Sequence, residues 1–384
     1  MDKPEPKKTI ALKFNNKMKN SSTKNNRLLS IDALRGFDMF IIIFADRFFY
    51  HFHEGSQSKV SGFFATQFEH PEWFGFHIYD MVMPLFLFVV GVVIPFSMQR
   101  RVQEIEKKSS LYPHIIRRFI ILFILGWIVQ GNLLHLDINK FQIYSNTLQA
   151  IAVGYLFTCV AYIHLNKKSR YIIFAACLGI YALLLEFTNV PGIGTSELLP
   201  DKNIAVYFDR LIFGDFDDGY QYTWLLSGFG FVATTLSGLF AGEILKSKLP
   251  REKVALQLVI VGVVAVALGL LLDIWHPIVK KLWNSSFVLF SSGICFLLLA
   301  LFYWVIDIKG YAKWTKPFKV IGINAITAYV ISHVIDFPSI ADQFLFGFKQ
   351  FLGNYYESFT VLGGFLIIYL ILWYMNKNKT FIKI

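Results

Sequence analysis

The sequence has few charged residues and few cysteines for its length of 384 residues. Only 16% of the residues are charged, whereas 55% are hydrophobic and 17% are aromatic. A water-compatible surface cannot cover so much apolar side chain, so a soluble enzyme and a disordered chain are both excluded. The three cysteines, Cys159, Cys177 and Cys295, lie in apolar runs without CxxC or Cys/His spacing. This arrangement predicts buried free thiols and argues against a disulfide framework or a structural metal site.

Long apolar segments recur along the chain and predict an all-α, polytopic transmembrane helix bundle. About 20 residues of helix are needed to cross the hydrocarbon core of a bilayer. About ten segments approach this length, at 33–52, 76–98, 115–134, 143–165, 171–188, 223–245, 254–273, 285–306, 317–336 and 357–375.

Acidic residues are scarcer than basic ones, and the basic residues are unevenly placed. The 37 Lys and Arg residues, against 26 Asp and Glu, concentrate at both termini and in every second loop. Because the cytoplasmic loops of membrane proteins are enriched in Lys and Arg, this alternation predicts that both termini are cytoplasmic. It also explains the net charge of +11 without nucleic acid as a partner.

The chain divides into one long membrane domain and two short polar ends. Residues 1–31 are rich in Lys, Asn and Ser, which predicts a disordered, basic cytoplasmic arm. A cleaved signal peptide is not expected, because the first apolar run already contains Arg35 and Asp38. Residues 32–376 form the predicted membrane domain, and 377–384 form a cytoplasmic tail.

Charged residues interrupt the first apolar segment, where each must face protein or a wet cavity. Asp32, Arg35 and Asp38 recur at helical spacing and predict an ion-paired cluster near the cytoplasmic end. Asp46 and Arg47 follow near the outer end. A structural clasp and an active-site role are equally good interpretations, since buried ion pairs serve both.

Titratable groups are concentrated where the first outward loop meets the second span. This segment contains His70, Trp73, His77 and Asp80. A neutral His can take a proton near neutral pH, and a carboxylate such as Asp80 can orient it and stabilise its charged form. The alternative is that Trp73 and His77 belong to the aromatic belt of the membrane interface.

Polar residues in and beside the later spans are few. They are Asn146, Gln149, Ser285, Ser286, Asn324, Ser332 and His333. Hydrogen bonds between helices account for most residues of this kind. Asn324 and His333 have the strongest case for substrate contact, because polar groups at membrane depth are commonly functional. Gly238 and Gly242 are four residues apart and predict a close contact between helices.

An ordered series of short motifs runs through roughly residues 27–375. It includes Arg27-Leu28-Leu29-Ser30-Ile31-Asp32-Ala33-Leu34-Arg35-Gly36, His70-Pro71-Glu72-Trp73-Phe74-Gly75 with Asp80 and Pro84, Leu148-Gln149-Ala150, Gly322-Ile323-Asn324-Ala325 and Ser332-His333. This series resembles the heparan-alpha-glucosaminide N-acetyltransferase family, including its bacterial members.

The resemblance implies a transmembrane acetyltransferase. Such an enzyme moves an acetyl group from acetyl-CoA, its co-substrate, to an amine or hydroxyl of a sugar or glycan at the outer face. The resemblance implies that His70 is catalytic, and Asp80 is its expected partner. The candidate acceptor-binding residues are Trp73, Asp46, Asn324 and His333, and the candidate acetyl-CoA-binding residues are Arg35, Asp38, Gln149, Arg117 and Arg118. No metal is expected.

Several alternatives stay open at this point. His70 can act as a general base or carry the acetyl group covalently. A sugar transporter or permease, or a membrane scaffold, fits the same apolar spans and intramembrane charges. The expected location is a bacterial inner membrane, with lipids and a sugar or glycan acceptor as partners, and a homodimer is left open.

Overall fold

The protein is an all-α bundle in which the described residues form only two short strands. The computed structural model describes residues 28–104, 108–217, 219 and 222–381, and for 99–104 the backbone alone. Residues 1–27 of the predicted arm and 382–384 of the predicted tail lie outside this description. The elements are α1 Leu29–Phe40, α2 Asp46–Ser56, α3 Lys59–Gln67, α4 Val82–Glu104, α5 Tyr112–Val129, α6 Thr147–His164, α7 Lys167–Phe187, β1 Asn189–Val190, β2 Gly194–Thr195, α8 Ile204–Phe213, α9 Gly228–Leu245, α10 Arg251–Asp273, α11 Ser285–Phe302, α12 Lys316–Ile323, α13 Ala325–Val334, α14 Phe337–Leu345, α15 Lys349–Leu352 and α16 Tyr356–Lys377.

The number of membrane spans agrees with a polytopic bundle. Within the described ranges, eight helical segments are long and apolar enough to cross a membrane, or up to nine if the bent pair α12 and α13 counts as one span. The other predicted span, 33–52, falls in α1 and α2, which are helical but carry the charged residues noted above. The all-α polytopic prediction is therefore confirmed.

The first helical rod runs from α1 to α2 without a loop. A π-helical turn, Ile41–Ala45, joins the two helices. The rod begins at Leu29, inside the range 1–31 assigned to the polar arm, because Leu29 and Ile31 pack against the bundle core. π-helical turns inside α-helices occur frequently at functional sites. This turn directly precedes Asp46.

Helices α4 and α9 approach each other closely at the centre of the bundle. A Cβ atom added at Gly238 would lie 1.9 Å from the carbonyl oxygen of Phe88, and one at Gly242 would lie 2.3 Å from that of Val92. Neither position accepts a larger residue without moving a backbone, so the predicted glycine contact is confirmed. The three cysteines are free and buried in the bundle, also as predicted.

Helices α12 and α13 form a broken rod that packs on α1. The two halves meet at Asn324 with a bend of 66°. A Cβ atom at Gly322 would lie 2.1 Å from the carbonyl oxygen of Asp32, so α12 and α1 touch backbone to backbone. The break leaves the Asn324 amide buried inside the protein.

Loops that the charge pattern assigns to the outer side meet one another. The amide N–H of Gly75 donates to the carbonyl of Ile278 over 3.0 Å, and that of Thr223 donates to the carbonyl of Lys281 over 3.0 Å. These bonds join the loops that precede α4, α9 and α11. The packing is therefore consistent with the predicted sidedness, and these joined loops carry the candidate site.

Candidate functional site

The loop between α3 and α4 fixes His70 beside the N-terminal end of α4. A short 3-10 helix, Ile78–Met81, leads into α4, and its N-terminus is capped by Asp80. Asp80 Oδ2 accepts a 2.8 Å hydrogen bond from the backbone N–H of His77. The capping bond holds the carboxylate at the base of the loop, so its second oxygen points to His70.

His70 and Asp80 form a hydrogen-bonded dyad, as the sequence analysis expects. His70 Nδ1 lies 2.7 Å from Asp80 Oδ1. An ionised carboxylate only accepts hydrogen bonds, so we assign the proton to Nδ1, which leaves Nε2 as the basic nitrogen. The Asp80 side chain is fully buried, whereas 34% of the His70 side chain is exposed. The dyad thus has a sheltered carboxylate and an accessible imidazole.

Burial lowers the pKa of His70 below its usual value of 6.5. The hydrogen bond to Asp80 acts in the opposite direction, and the positive charge of Lys280 lowers the pKa further. Burial is the largest of these effects because it penalises the charged imidazolium. The imidazole is therefore neutral at neutral pH and can accept a proton there.

Lys280 is a member of this site that the sequence analysis did not single out. Its Nζ atom lies 2.9 Å from His70 Nε2 and 3.0 Å from His70 Nδ1. It also lies 3.3 Å from Asp80 Oδ1. The lone-pair axes of the two ring nitrogens diverge, so a donor almost equidistant from both lies over the ring and not along either axis. Burial lowers the pKa of Lys280 to about 8, despite its proximity to Asp80.

The loop that carries Lys280 is held in place by side-chain bonds. Asn284 caps α11, and its Nδ2 donates to the carbonyl of Pro277 over 2.6 Å. Its Oδ1 accepts a bond from the backbone N–H of Val279. The one available sequence signal for Lys280 is that cations are scarce in the predicted outward loops.

Trp73, a predicted acceptor-binding residue, lies in a packed apolar cluster. Its indole N–H donates to the carbonyl of Leu198 over 2.7 Å. Tyr181, Leu185 and Val279 belong to the same cluster, and only 8% of Trp73 is exposed. This position connects the segment between α7 and α8 to the His70 loop, which favours a structural role.

Asp46 and His333 line a cavity of about 150 Å³ beside the dyad. Tyr79 forms the wall between the two, because its hydroxyl donates to Asp46 Oδ2 over 3.1 Å and its ring centroid lies 4.9 Å from that of His70. Other lining residues are Ile42, Ile43, Arg47, Ser332, Ile335, Phe337, Pro338, Val361, Gly364, Phe365 and Ile368. The cavity combines polar groups from α2 and α13 with an apolar floor.

The polar groups of the cavity are arranged at its rim. His333 donates from Nδ1 to the carbonyl of Tyr329 over 2.8 Å, which leaves its Nε2 as an acceptor. Arg47 forms a 3.7 Å ion pair with Asp336, and both side chains are more than half exposed. Asn324, the fourth predicted acceptor-binding residue, is not among the residues that line this cavity.

The predicted acetyl-CoA-binding residues are not gathered at one place. Arg117 is exposed on α5, whereas the guanidinium of Arg118 lies 4.4 Å above the ring of Tyr155. Gln149 uses its amide in the fold, since it accepts from the backbone N–H of Ser145 and donates to the carbonyl of Ile143, each over 2.9 Å.

Asp38 and Asn324 differ from Gln149 because their polar atoms are unsatisfied. Both carboxylate oxygens of Asp38 and both amide atoms of Asn324 are buried without a hydrogen-bond partner among the described residues. The predicted ion-paired cluster of Asp32, Arg35 and Asp38 is therefore wrong for Asp38. Asp38 is buried at the interior face of α1, whereas Arg35 is partly exposed.

Metal-ligating side chains are not clustered in the part of the chain that is described. No group of three or more His, Cys, Asp or Glu side chains in that part is arranged to hold a metal ion.

Comparisons with known proteins identify the family of this chain. The family model for the heparan-alpha-glucosaminide N-acetyltransferase catalytic region matches residues 27–258, which is more than half of the chain and includes the dyad. The heparan-alpha-glucosaminide N-acetyltransferase of Mus musculus is 25% identical over 83% of this chain and 56% of its own length. The Homo sapiens protein of the same name is 26% identical over 81% of this chain and 53% of its own length. This chain spans little more than half the length of these two relatives. The chain belongs to the heparan-alpha-glucosaminide N-acetyltransferase catalytic family.

Proposed function

We propose that this protein is a membrane acetyltransferase that moves an acetyl group from acetyl-CoA to an amine or hydroxyl of a sugar or glycan at the outer face. The observation that carries the proposal is the His70–Asp80 dyad. It combines a neutral, accessible imidazole with a buried carboxylate that can stabilise the imidazolium. Family membership supplies the reaction class.

Direct transfer needs one proton acceptor. As the acceptor nitrogen or oxygen attacks the thioester carbon, His70 Nε2 takes its proton. The carbon–sulfur bond then breaks, and the imidazolium returns the proton to the departing CoA thiolate. General base catalysis of this kind contributes roughly 10² to 10⁴-fold to the rate. In the covalent variant, Nε2 attacks the thioester carbon, and the carbon–sulfur bond breaks to release the CoA thiolate. The acceptor then attacks the acetyl carbon, the bond from that carbon to Nε2 breaks, and the acceptor proton passes to the thiolate.

The cavity between α2 and α13 is the proposed acceptor site. Asp46 and His333 offer acceptors for the hydroxyl or amine hydrogens of a sugar, and Tyr79 joins the cavity to His70. Its apolar floor suits the less polar face of a sugar ring. The exposed part of His70 gives the nucleophile access from the outer side.

The donor enters from the opposite side, because acetyl-CoA is made in the cytoplasm. Arg117 and Arg118 are positioned at the predicted cytoplasmic end of α5, where guanidinium groups suit the CoA phosphates. The amides of the pantetheine arm can supply the missing partners of Asp38 and Asn324. Gln149 is not included, because its amide is already satisfied within the fold.

The test is acetyl transfer by the purified protein in detergent. Labelled acetyl-CoA is supplied with a panel of amino sugars, glycans and muropeptides, and both acetylated product and free CoA thiol are measured. The proposal requires thiol release that depends on an acceptor. Uptake of an unmodified sugar into proteoliposomes without thiol release would instead identify a transporter.

Sidedness is tested separately with single cysteines and an impermeant maleimide in intact cells. Cysteines at positions 60 and 202, which are both exposed, should be labelled, and one at 249 should be spared, because the Lys and Arg distribution assigns 249 to the cytoplasm. The reverse pattern would place His70 on the same side as acetyl-CoA and remove the need for a crossing. It would leave the dyad chemistry unchanged.

A further inference from the structure

Lys280 is a buried cation whose position the dyad chemistry above does not use. It comes from the loop between α10 and α11, 210 residues away from His70 in the sequence. Only 8% of Lys280 is exposed. Burial of an ammonium group is costly and normally occurs only where the charge is paired. Its nearest charged partner is Asp80, the same carboxylate that holds His70.

Asp80 supplies the one negative charge among the side chains of His70, Asp80 and Lys280. Asp80 Oδ1 is 2.7 Å from His70 Nδ1 and 3.3 Å from Lys280 Nζ. With Lys280 charged and Asp80 ionised, the cluster is neutral only while His70 is unprotonated. A proton on His70 would leave a net positive charge in a mostly buried site, which is unfavourable. The pairing of Lys280 with Asp80 therefore biases the imidazole towards its neutral form.

Charged and titratable groups on several elements act on His70. Asp80 and Tyr79 face it from the 3-10 helix before α4, and Lys280 faces it from the loop before α11. Asp46 on α2 acts from beyond Tyr79 and favours protonation. Lys281 directs its ammonium elsewhere, between the rings of Trp73 and Tyr222, at 5.7 Å and 5.8 Å from their centroids.

We propose that Lys280 is a positioning residue for the base. Its ammonium keeps Asp80 ionised and turned to Nδ1, and it opposes protonation of His70 until the acceptor releases its proton. The same repulsion then favours return of that proton to the CoA thiolate. This assignment rests on the proposed acetyl transfer for its biological meaning, but its effect on His70 can be measured without it.

The direct test is the protonation midpoint of His70, followed by NMR in purified protein with ¹⁵N-labelled histidine. The His70 signal is identified by its loss in His70→Ala. Lys280→Met should raise the midpoint by about one pH unit or more, which is a tenfold gain in proton affinity. A charge at this distance is large enough for such a shift even when its effective screening is strong.

Two matched variants separate charge from packing. Lys280→Arg keeps the charge and should hold the midpoint within about half a unit of the unmodified protein. Lys281→Met removes the neighbouring cation and should leave the midpoint unchanged. If Lys280→Met does not fold, Lys280→Gln replaces it as the neutral variant. An unshifted midpoint in the folded neutral variant would overturn the assignment.

The pH profile of acetyl transfer gives the functional readout. In Lys280→Met the acidic limb of kcat/KM should move to higher pH by the same amount as the NMR midpoint. A lower plateau with an unmoved limb would contradict a role through His70. If no acceptor is acetylated by any variant, the proposed function fails, while the NMR midpoint still decides the role of Lys280.

Discussion

Two polar regions of the protein are built in opposite ways. In the dyad region, Asp80 accepts bonds from His70 and from the backbone of His77, with Lys280 beside them. Inside the bundle, Asp38 and Asn324 are buried, and their side-chain polar atoms have no hydrogen-bond partner among the described residues. The polar groups of the dyad region are therefore satisfied within the protein, whereas those of Asp38 and Asn324 are not.

This difference separates two kinds of functional evidence. A satisfied network is already arranged for proton transfer, so its residues should affect turnover. Buried polar atoms without hydrogen bonds lower the stability of the fold. They are retained where a group outside the described residues, such as a ligand, completes their hydrogen bonds, or where the strain serves a function. The comparison therefore predicts that the residues of the dyad region act on kcat and that Asp38 and Asn324 act on binding of a substrate.

The largest expected effect is the loss of acetyl transfer in His70→Ala, in the dyad region. Removing the base should lower acetyl transfer by about 10² to 10⁴-fold, the usual contribution of a positioned general base. Single-turnover kinetics with labelled acetyl-CoA measures the loss, and thermal melting checks the fold. His77→Ala is the control, because its ring contacts the carbonyl of Glu69 over 2.8 Å and is not one of the two dyad side chains. Wild-type turnover in His70→Ala would show that the dyad is not catalytic.

The second effect concerns the carboxylate of the same dyad. Asp80→Asn keeps the shape but removes the charge that stabilises the imidazolium. We expect kcat to fall by about 10- to 100-fold, because hydrogen bonds to charged groups contribute roughly 1.5–3 kcal/mol. The KM for acetyl-CoA should hardly change. A rise in that KM with an unchanged kcat would instead assign Asp80 to donor binding.

Sequence patterns predict the roles of some of these residues but not of others, for physical reasons. Apolar runs predict the helices because lipid demands about 20 such residues per span. His70 and Asp80 are ten residues apart on one loop, so local sequence suffices to bring them together. Lys280 reaches the dyad only through the tertiary contact of two loops, which no local pattern encodes. Trp73 matches an interfacial aromatic, but its buried bond to Leu198 depends on a distant loop.

The third effect concerns the cavity lined by Asp46 and His333. Asp46→Asn and His333→Ala should each raise the acceptor KM by up to roughly tenfold, since each removes a hydrogen bond worth about 0.5–1.5 kcal/mol. The KM for acetyl-CoA is the internal control and should stay constant. Equal changes in both constants would show that the cavity does not distinguish acceptor from donor. Phe337→Leu, on the apolar floor, should have a smaller effect than either polar change.

The smallest effect tests the unsatisfied region directly, with Asn324→Leu and Gln149→Met as matched apolar replacements. Asn324 is buried with an unpartnered amide, so its replacement should leave the melting temperature unchanged or raise it. Gln149 bonds to the backbone N–H of Ser145 and the carbonyl of Ile143. Its replacement leaves both backbone groups without this hydrogen bond and should lower the melting temperature. If Asn324 meets the pantetheine arm, Asn324→Leu should also raise the KM for acetyl-CoA about three- to tenfold, the loss of one neutral hydrogen bond. A destabilised Asn324→Leu protein with normal donor affinity would mean that the amide serves the helix break and not the donor.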